Sequence, residues 1–135
     1  MKKIVIPVVV LVLLGGCSGA PKPTASASPV TERAALAETS FTSDAQSWAG
    51  EAGQYITAAV EQEPGRYLVS TSIADPRGAD GSAEARSAIA LCQAVRDNRA
   101  GAAYVRVDER DGTAFVIWQP GGKVAGKSTD ECTEV

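Results

Sequence analysis

Histidine is absent from all 135 residues. That absence removes Ser-His-Asp and Cys-His catalysis together with histidine-containing zinc sites. The acidic loops also lack the alternating oxygen-ligand pattern of an EF-hand, so the sequence implies no metal and no cofactor. No apolar run approaches the roughly 20 residues of a spanning helix. Positive charge is scarce too: with Lys2 and Lys3 removed in a leader, the 13 basic residues fall to 11 against 16 acidic ones, a formal charge of −5. Such a surface argues against nucleic acid as a partner and implies solubility. There is no internal repeat and no second domain boundary.

What is present begins with an address. Met1, Lys2 and Lys3 form a positive n-region, and Ile4 to Leu14 form an apolar stretch interrupted only by Pro7. Its length is that of a signal-peptide core. Gly15 and Gly16 put little bulk beside a scissile bond, and cleavage after residue 16 leaves Cys17 first.

Leu14, Gly15, Gly16 and Cys17 resemble the lipobox of bacterial lipoproteins. The resemblance covers only the leader and implies a diacylglyceryl group on the Cys17 thiol. Two acyl chains anchor stably where one does not, each buried methylene contributing about 0.8 kcal/mol. The excess of arginine over lysine in the mature chain, its many alanines and its PKPTASASP segment also resemble small lipoproteins of high-GC Gram-positive bacteria. That likeness implies a lipid-anchored place on the outer, extracytoplasmic face of the cell membrane.

Cysteine parity agrees. Three cysteines in an exported chain leave one over, and lipidation of Cys17 leaves Cys92 and Cys132 as a pair. Residues 17–30, rich in Pro, Ser, Ala and Thr and without hydrophobic period, read as a tether reaching about 30 to 40 Å. Residues 31–135 then form one domain.

Within it, Ser43 and Gln46 resemble a capping box, and Trp48, Ala49, Ala52, Tyr55, Ile56, Ala59 and Val60 follow at helical spacing, predicting a helix that ends before Pro64. A shorter helix is expected over 32–38. Alternation over Arg66 to Ile73 predicts a strand. The ADPRGADG loop follows, then a helix from Ser82 to Asn98 with Ala85, Ala88, Ile89, Cys92 and Val95 inward. Residues 103–109 and 113–119 predict a hairpin on a two-residue Asp111-Gly112 turn, pairing Arg110 with Thr113, Val107 with Val116 and Val105 with Trp118. The expected fold is a small α+β domain of order α-β-α-β-β. It has a three-stranded sheet, helices mainly on one face, a β-α-β crossover through the second helix and a Cys92–Cys132 disulfide.

Chemistry is sparse. Gly121, Gly126, Lys127 and Ser128 match the P-loop pattern GxxxxGK[ST], but only seven residues follow Ser128, too few for the helix that would hold a phosphate. The segment is therefore expected to be a flexible glycine-rich loop with no nucleotide. Asp108, Glu109 and Asp111 cluster at the hairpin, but adjacent strand residues point to opposite faces, which favours solvated charge over acid-base work. Trp48 and Trp118 are expected in the core. Tyr104, Arg106, Phe115 and Ile117 share the hairpin face opposite the valines, an apolar centre in a polar frame, and form the candidate binding face.

Three functions remain open at this stage. The first is a tethered, non-catalytic binding or accessory module that contacts an envelope protein or an extracellular ligand. The second is a disulfide-stapled inhibitor of a secreted enzyme, acting through ADPRGADG. The third is a carboxylate-based hydrolase of envelope glycans.

Overall fold

The computed structural model describes residues 38–76 and 80–135. The leader, Cys17, the tether, the short helix expected before Glu38 and residues 77–79 of the ADPRGADG loop lie outside the described residues. In chain order the described elements are β1 (Thr39–Ser40), α1 (Thr42–Trp48), a 3-10 helix (Gly50–Tyr55), β2 (Ile56–Glu63), β3 (Arg66–Thr71), α2 (Ala83–Asn98), β4 (Tyr104–Asp108), β5 (Ala114–Trp118), β6 (Lys123–Val124), β7 (Lys127–Ser128) and β8 (Thr133–Glu134).

The middle of the chain folds as its periodicity dictates. Ser82 caps α2, its hydroxyl accepting the Ala85 N–H at 2.9 Å. Ala85, Ala88, Leu91, Cys92 and Val95 bury one helix face completely or nearly so. That helix is the crossover between β3 and β4, which run parallel, and β4 returns antiparallel through β5. Cys92 on α2 is bonded to Cys132 in the tail, with Cα atoms 6.0 Å apart.

The expected three-stranded sheet is not what forms. The sheet has six strands in the order β1-β2-β3-β4-β5-β8, and β6 and β7 make a separate two-stranded ribbon. Two segments account for the difference. The long first helix stops at Trp48, and Gly50 takes a φ of +54°, a left-handed conformation that glycine reaches without strain. Gly53 then lets the 3-10 turn lie against α1: a Cβ there would sit 2.2 Å from the Gln46 carbonyl oxygen. Beyond it, Ile56–Glu63 is a strand antiparallel to β3, joined across Pro64 and Gly65.

A register shift between Ile56 and Ala58 explains the helical look of this strand. It turns Ile56 and Ala59 to the same side, 4% and 0% exposed, so burial recurs at a spacing of three where an unbroken strand would give two. The second segment is the tail. Residues expected to be a loose glycine-rich loop form the β6–β7 ribbon, and Thr133–Glu134 completes the sheet edge on β5.

Both α-helices serve one core. Ala59, Val69, Val107 and Val116 make a row across four strands, all at 0% exposure, and α2 packs over it. At the other end of α2, Arg99 lies over the rings of Phe41, Trp48 and Tyr67, at 4.4, 5.1 and 5.8 Å from their centroids. This stack joins α1 to β3 and to the end of α2. Gly65 brings the β2–β3 turn against the loop entering β4. Its carbonyl accepts from Ala103 and Tyr104, and a side chain at that position would meet the Gly101 carbonyl at 2.7 Å.

Candidate functional site

Successive strand residues face opposite sides, so the neighbours of the core row form a row on the far face. That row is Ser40, Val60, Leu68, Arg106, Ile117 and Thr133, one residue from each of the six strands. Val60 and Leu68 are half-buried and Ile117 is 8% exposed, yet none of them belongs to the core cluster beneath α2. Tyr104 lies one turn of the pleat away, with the Arg66 guanidinium 4.3 Å above its ring. The result is a face on which Arg106 stands between Leu68 and Ile117, with Val60 and Tyr104 beside them and no helix packed on it among the described residues.

Three of the four expected face residues, Tyr104, Arg106 and Ile117, are brought together here. Phe115 is not: it is 2% exposed and sits in the core cluster. The hairpin turn explains it. The Glu109 N–H bonds the Thr113 carbonyl at 2.8 Å, so the loop holds Arg110, Asp111 and Gly112 rather than two residues, and Asp108 pairs with Ala114. A bulge then inserts Phe115 as the extra residue, and Val107 faces Val116 again, as expected. Arg110 consequently does not pair with Thr113, and the extra side chain turns inward. Sequence reasoning missed Val60 and Leu68. Leu68 stood at an alternate position of a correctly read strand, while Val60 was assigned to a helix.

Electrostatically the face is balanced. Arg106 donates through Nε and Nη2 to both carboxylate oxygens of Asp108 and through Nη2 to the Gly112 carbonyl at 3.0 Å. The guanidinium lies along the sheet and covers Asp108, which is 6% exposed. Arg66 pairs with Glu63 at 3.6 Å. The other carboxylates of the hairpin also do structural work: Glu109 accepts the Asp75 N–H at 3.2 Å, and Asp111 accepts the Thr113 N–H at 2.9 Å. No group of three metal-ligating side chains occurs among the described residues.

The P-loop-like segment is wired internally. Asp130 accepts from the Gly121 N–H at 2.6 Å and the Ser128 hydroxyl at 2.7 Å, and these two donors hold its pKa below the ordinary 3.8. Lys127 donates to Asp80 at 3.0 Å and to the Glu134 carbonyl at 3.1 Å. The pattern's amide, hydroxyl and ammonium are thus arranged around protein acceptors on a ribbon, not at the start of a helix. Gly126 takes a φ of +84° in the turn between β6 and β7.

Among the aromatic residues, Tyr67 is core, while Trp48 and Trp118 pack partly buried against it. The Trp118 indole donates to the Asp130 carbonyl at 3.0 Å. Tyr55, at the end of the 3-10 helix, keeps 36% of its surface exposed. No described helix is long and apolar enough to cross a membrane. Comparisons with protein-family profiles, with curated proteins and with solved structures returned no match for this chain.

Proposed function

We propose that the chain is a lipid-tethered, non-catalytic binding module of the cell envelope that docks a partner protein through the open face of its sheet. One observation carries the docking: Val60, Leu68, Ile117 and Tyr104 lie on the open sheet face outside the core, around a central Arg106, with Arg66 over the Tyr104 ring. Aliphatic and aromatic side chains beside arginine are the composition of a protein contact surface. The anchor rests on the leader. Its lipobox-like LGGC supports acylation of Cys17 and an outer-face position for the domain, with residues 17–30 as spacer.

Two experiments test the two halves. A photo-crosslinking side chain at Leu68, half-buried on that face, should give one discrete adduct in intact cells, and Arg66→Glu should abolish it without lowering the melting temperature. No adduct, or one indifferent to Arg66→Glu, refutes the docking face. A fatty-acid probe should label the parent and not Cys17→Ala. Labelling of both, or of neither, refutes the anchor.

A further inference from the structure

The open face of the sheet carries a symmetry of its own. In the order β1-β2-β3-β4-β5-β8 only the central neighbours, β3 and β4, run parallel, and every other neighbouring pair is antiparallel. Strand directions therefore read the same from either edge. A two-fold axis lying in the face, along the strands and between β3 and β4, sets β3 of one copy on β4 of another and β2 on β5, all running the same way. Sheets stacked like this keep their strands within about 30° and lie about 10 Å apart, the aligned packing of a sandwich.

The side chains suit that axis. Residues that share a row across the sheet centre become facing partners between copies: Leu68 with Arg106, and Val60 with Ile117. The two β-branched side chains meet each other, and the leucine meets the aliphatic stem of an arginine whose head is held along the sheet by Asp108. One row away, Arg66 meets the second copy's Tyr104, the ring type it already covers in its own chain at 4.3 Å. In the row on the other side, Ser70 meets Asp108. Neither arginine faces an arginine. The alternative axis, across the strands through the central row, sets Arg106 on Arg106 and is opposed by like charge.

Charge and size bear on the occupant as well. The chain has 16 acidic residues against 13 basic ones, whereas on this face Arg66 and Arg106 balance Glu63 and Asp108. Two acidic copies can thus approach here without net repulsion. Six strands about 4.8 Å apart and three rows along them span on the order of 500 Å² per copy, or about 1,000 Å² per pair, the lower bound of a specific interface. A contact of that size is weak between free copies and gains from confining both to one membrane surface.

We infer that the open face is a homodimer interface, on which a second copy of this chain docks sheet to sheet about a two-fold axis between β3 and β4. The inference rests on the docking reading above and names its partner.

Two differently tagged forms of the full chain, co-expressed in intact cells, test it with a photo-crosslinking side chain at Val60 in one form only. The adduct should have twice the mass of the chain and carry both tags, and peptide mapping should find the crosslink on β5 of the other form, near Ile117. Within one copy Val60 and Ile117 lie three strands, about 14 Å, apart, so capture on β5 is capture between copies. With the crosslinker moved to Leu68, Val60→Lys should cut the adduct at least tenfold at an unchanged melting temperature, and Gln93→Lys, on the exposed side of α2, should leave it intact. An adduct that holds a different protein overturns the homodimer and leaves the docking face standing. Absence of any adduct from both Val60 and Leu68 overturns the two together. A two-copy adduct crosslinked at β2 of the other form, or away from the sheet face, overturns the two-fold arrangement.

Discussion

The double substitution Cys92→Ala and Cys132→Ala probes how the tail is held. The bond closes a loop of 40 residues carrying the end of α2, both strands of the β4–β5 hairpin and the β6–β7 ribbon. Cross-linking such a loop restricts the unfolded chain by about 4 kcal/mol in the chain-entropy argument. The folded tail has other attachments: the Trp118 indole on the Asp130 carbonyl, the buried Thr129 hydroxyl on the Gln119 carbonyl at 2.9 Å, Arg96 on Glu131 at 2.9 Å, and two β8 pairings to β5. The native structure should therefore survive, and the loss should come from the unfolded state. For a domain of this size about 4 kcal/mol corresponds to a drop in melting temperature of roughly 15–30 °C. Urea titration should show a lower midpoint and a larger m-value, because the unlinked chain exposes more surface. Amide exchange at Val135, whose N–H bonds the Phe115 carbonyl at 3.0 Å, should stay slowed in the folded variant. A melting-temperature drop of only a few degrees with unchanged m would refute the entropic account, and loss of protection confined to the tail would show that the bond acts on the native state instead.

Gly53→Ala should destabilise by roughly 1–3 kcal/mol, toward the upper end because the added carbon meets main chain at Gln46 and not a movable side chain; chemical denaturation measures it, and a neutral result would mean that the 3-10 turn shifts freely. Thr71→Val keeps shape but removes a buried hydroxyl that donates to the Asp108 carbonyl at 2.8 Å and accepts the Ile73 N–H at 3.1 Å, so a loss of about 1–3 kcal/mol is expected by the same method, and a loss below a few tenths would contradict the bridge. The Asp130 carboxyl should titrate by NMR with a midpoint below 3.8, because the Ser128 hydroxyl and Gly121 amide favour its charged form. A depressed folded-state pKa gives stability that is present above the unfolded value and lost as pH falls through the folded one, so the Gly121–Asp130 contact should open only below pH 3.8. Opening at higher pH would count against it.

Legibility followed the length and regularity of each element. The α2 stripe spans 16 residues under a serine cap and β3 alternates cleanly, while β4 and β5 flank the Asp111-Gly112 turn signal, so their positions and the parallel crossover are legible in the sequence. Two bulges defeated the same reasoning. At Ile56 the bulge imitates a helical spacing and hides a strand. At Phe115 it cancels the extra turn residue, so that Val107 still meets Val116 although Phe115 itself faces the other way. Strands β1, β6, β7 and β8 are two residues each and carry no period at all. β1 and β8 pair with strands distant in sequence, β2 and β5, and the tail that carries β8 is held by Cys92 and Trp118, contacts that no local window contains. The candidate face was legible wherever its strands were, at Tyr104, Arg106 and Ile117.

The arginine stack at the end of α2 has a mechanical consequence when the domain is pulled from its amino-terminal side. Load applied upstream of Thr39 enters through β1, which grips β2 over only two residue pairs, with the Phe41 N–H on the Ala59 carbonyl at 2.9 Å just behind. An edge strand this short peels one bond after another at little force. The pull then reaches Phe41, whose ring lies beneath Arg99 and meets Tyr67 edge-on at 5.5 Å, and α1, whose Thr42 and Gln46 side chains bond the β2 backbone at 2.9 and 3.1 Å. Tension is thereby passed sideways into α2 and β3 together, and the sheet need not be unzipped along its edge. The domain has a soft first step of one short strand followed by a stiff clamp, and force spectroscopy with a handle at residue 38 should record a small early extension well before the main rupture, with Arg99→Ala lowering the rupture force and leaving the early step unchanged.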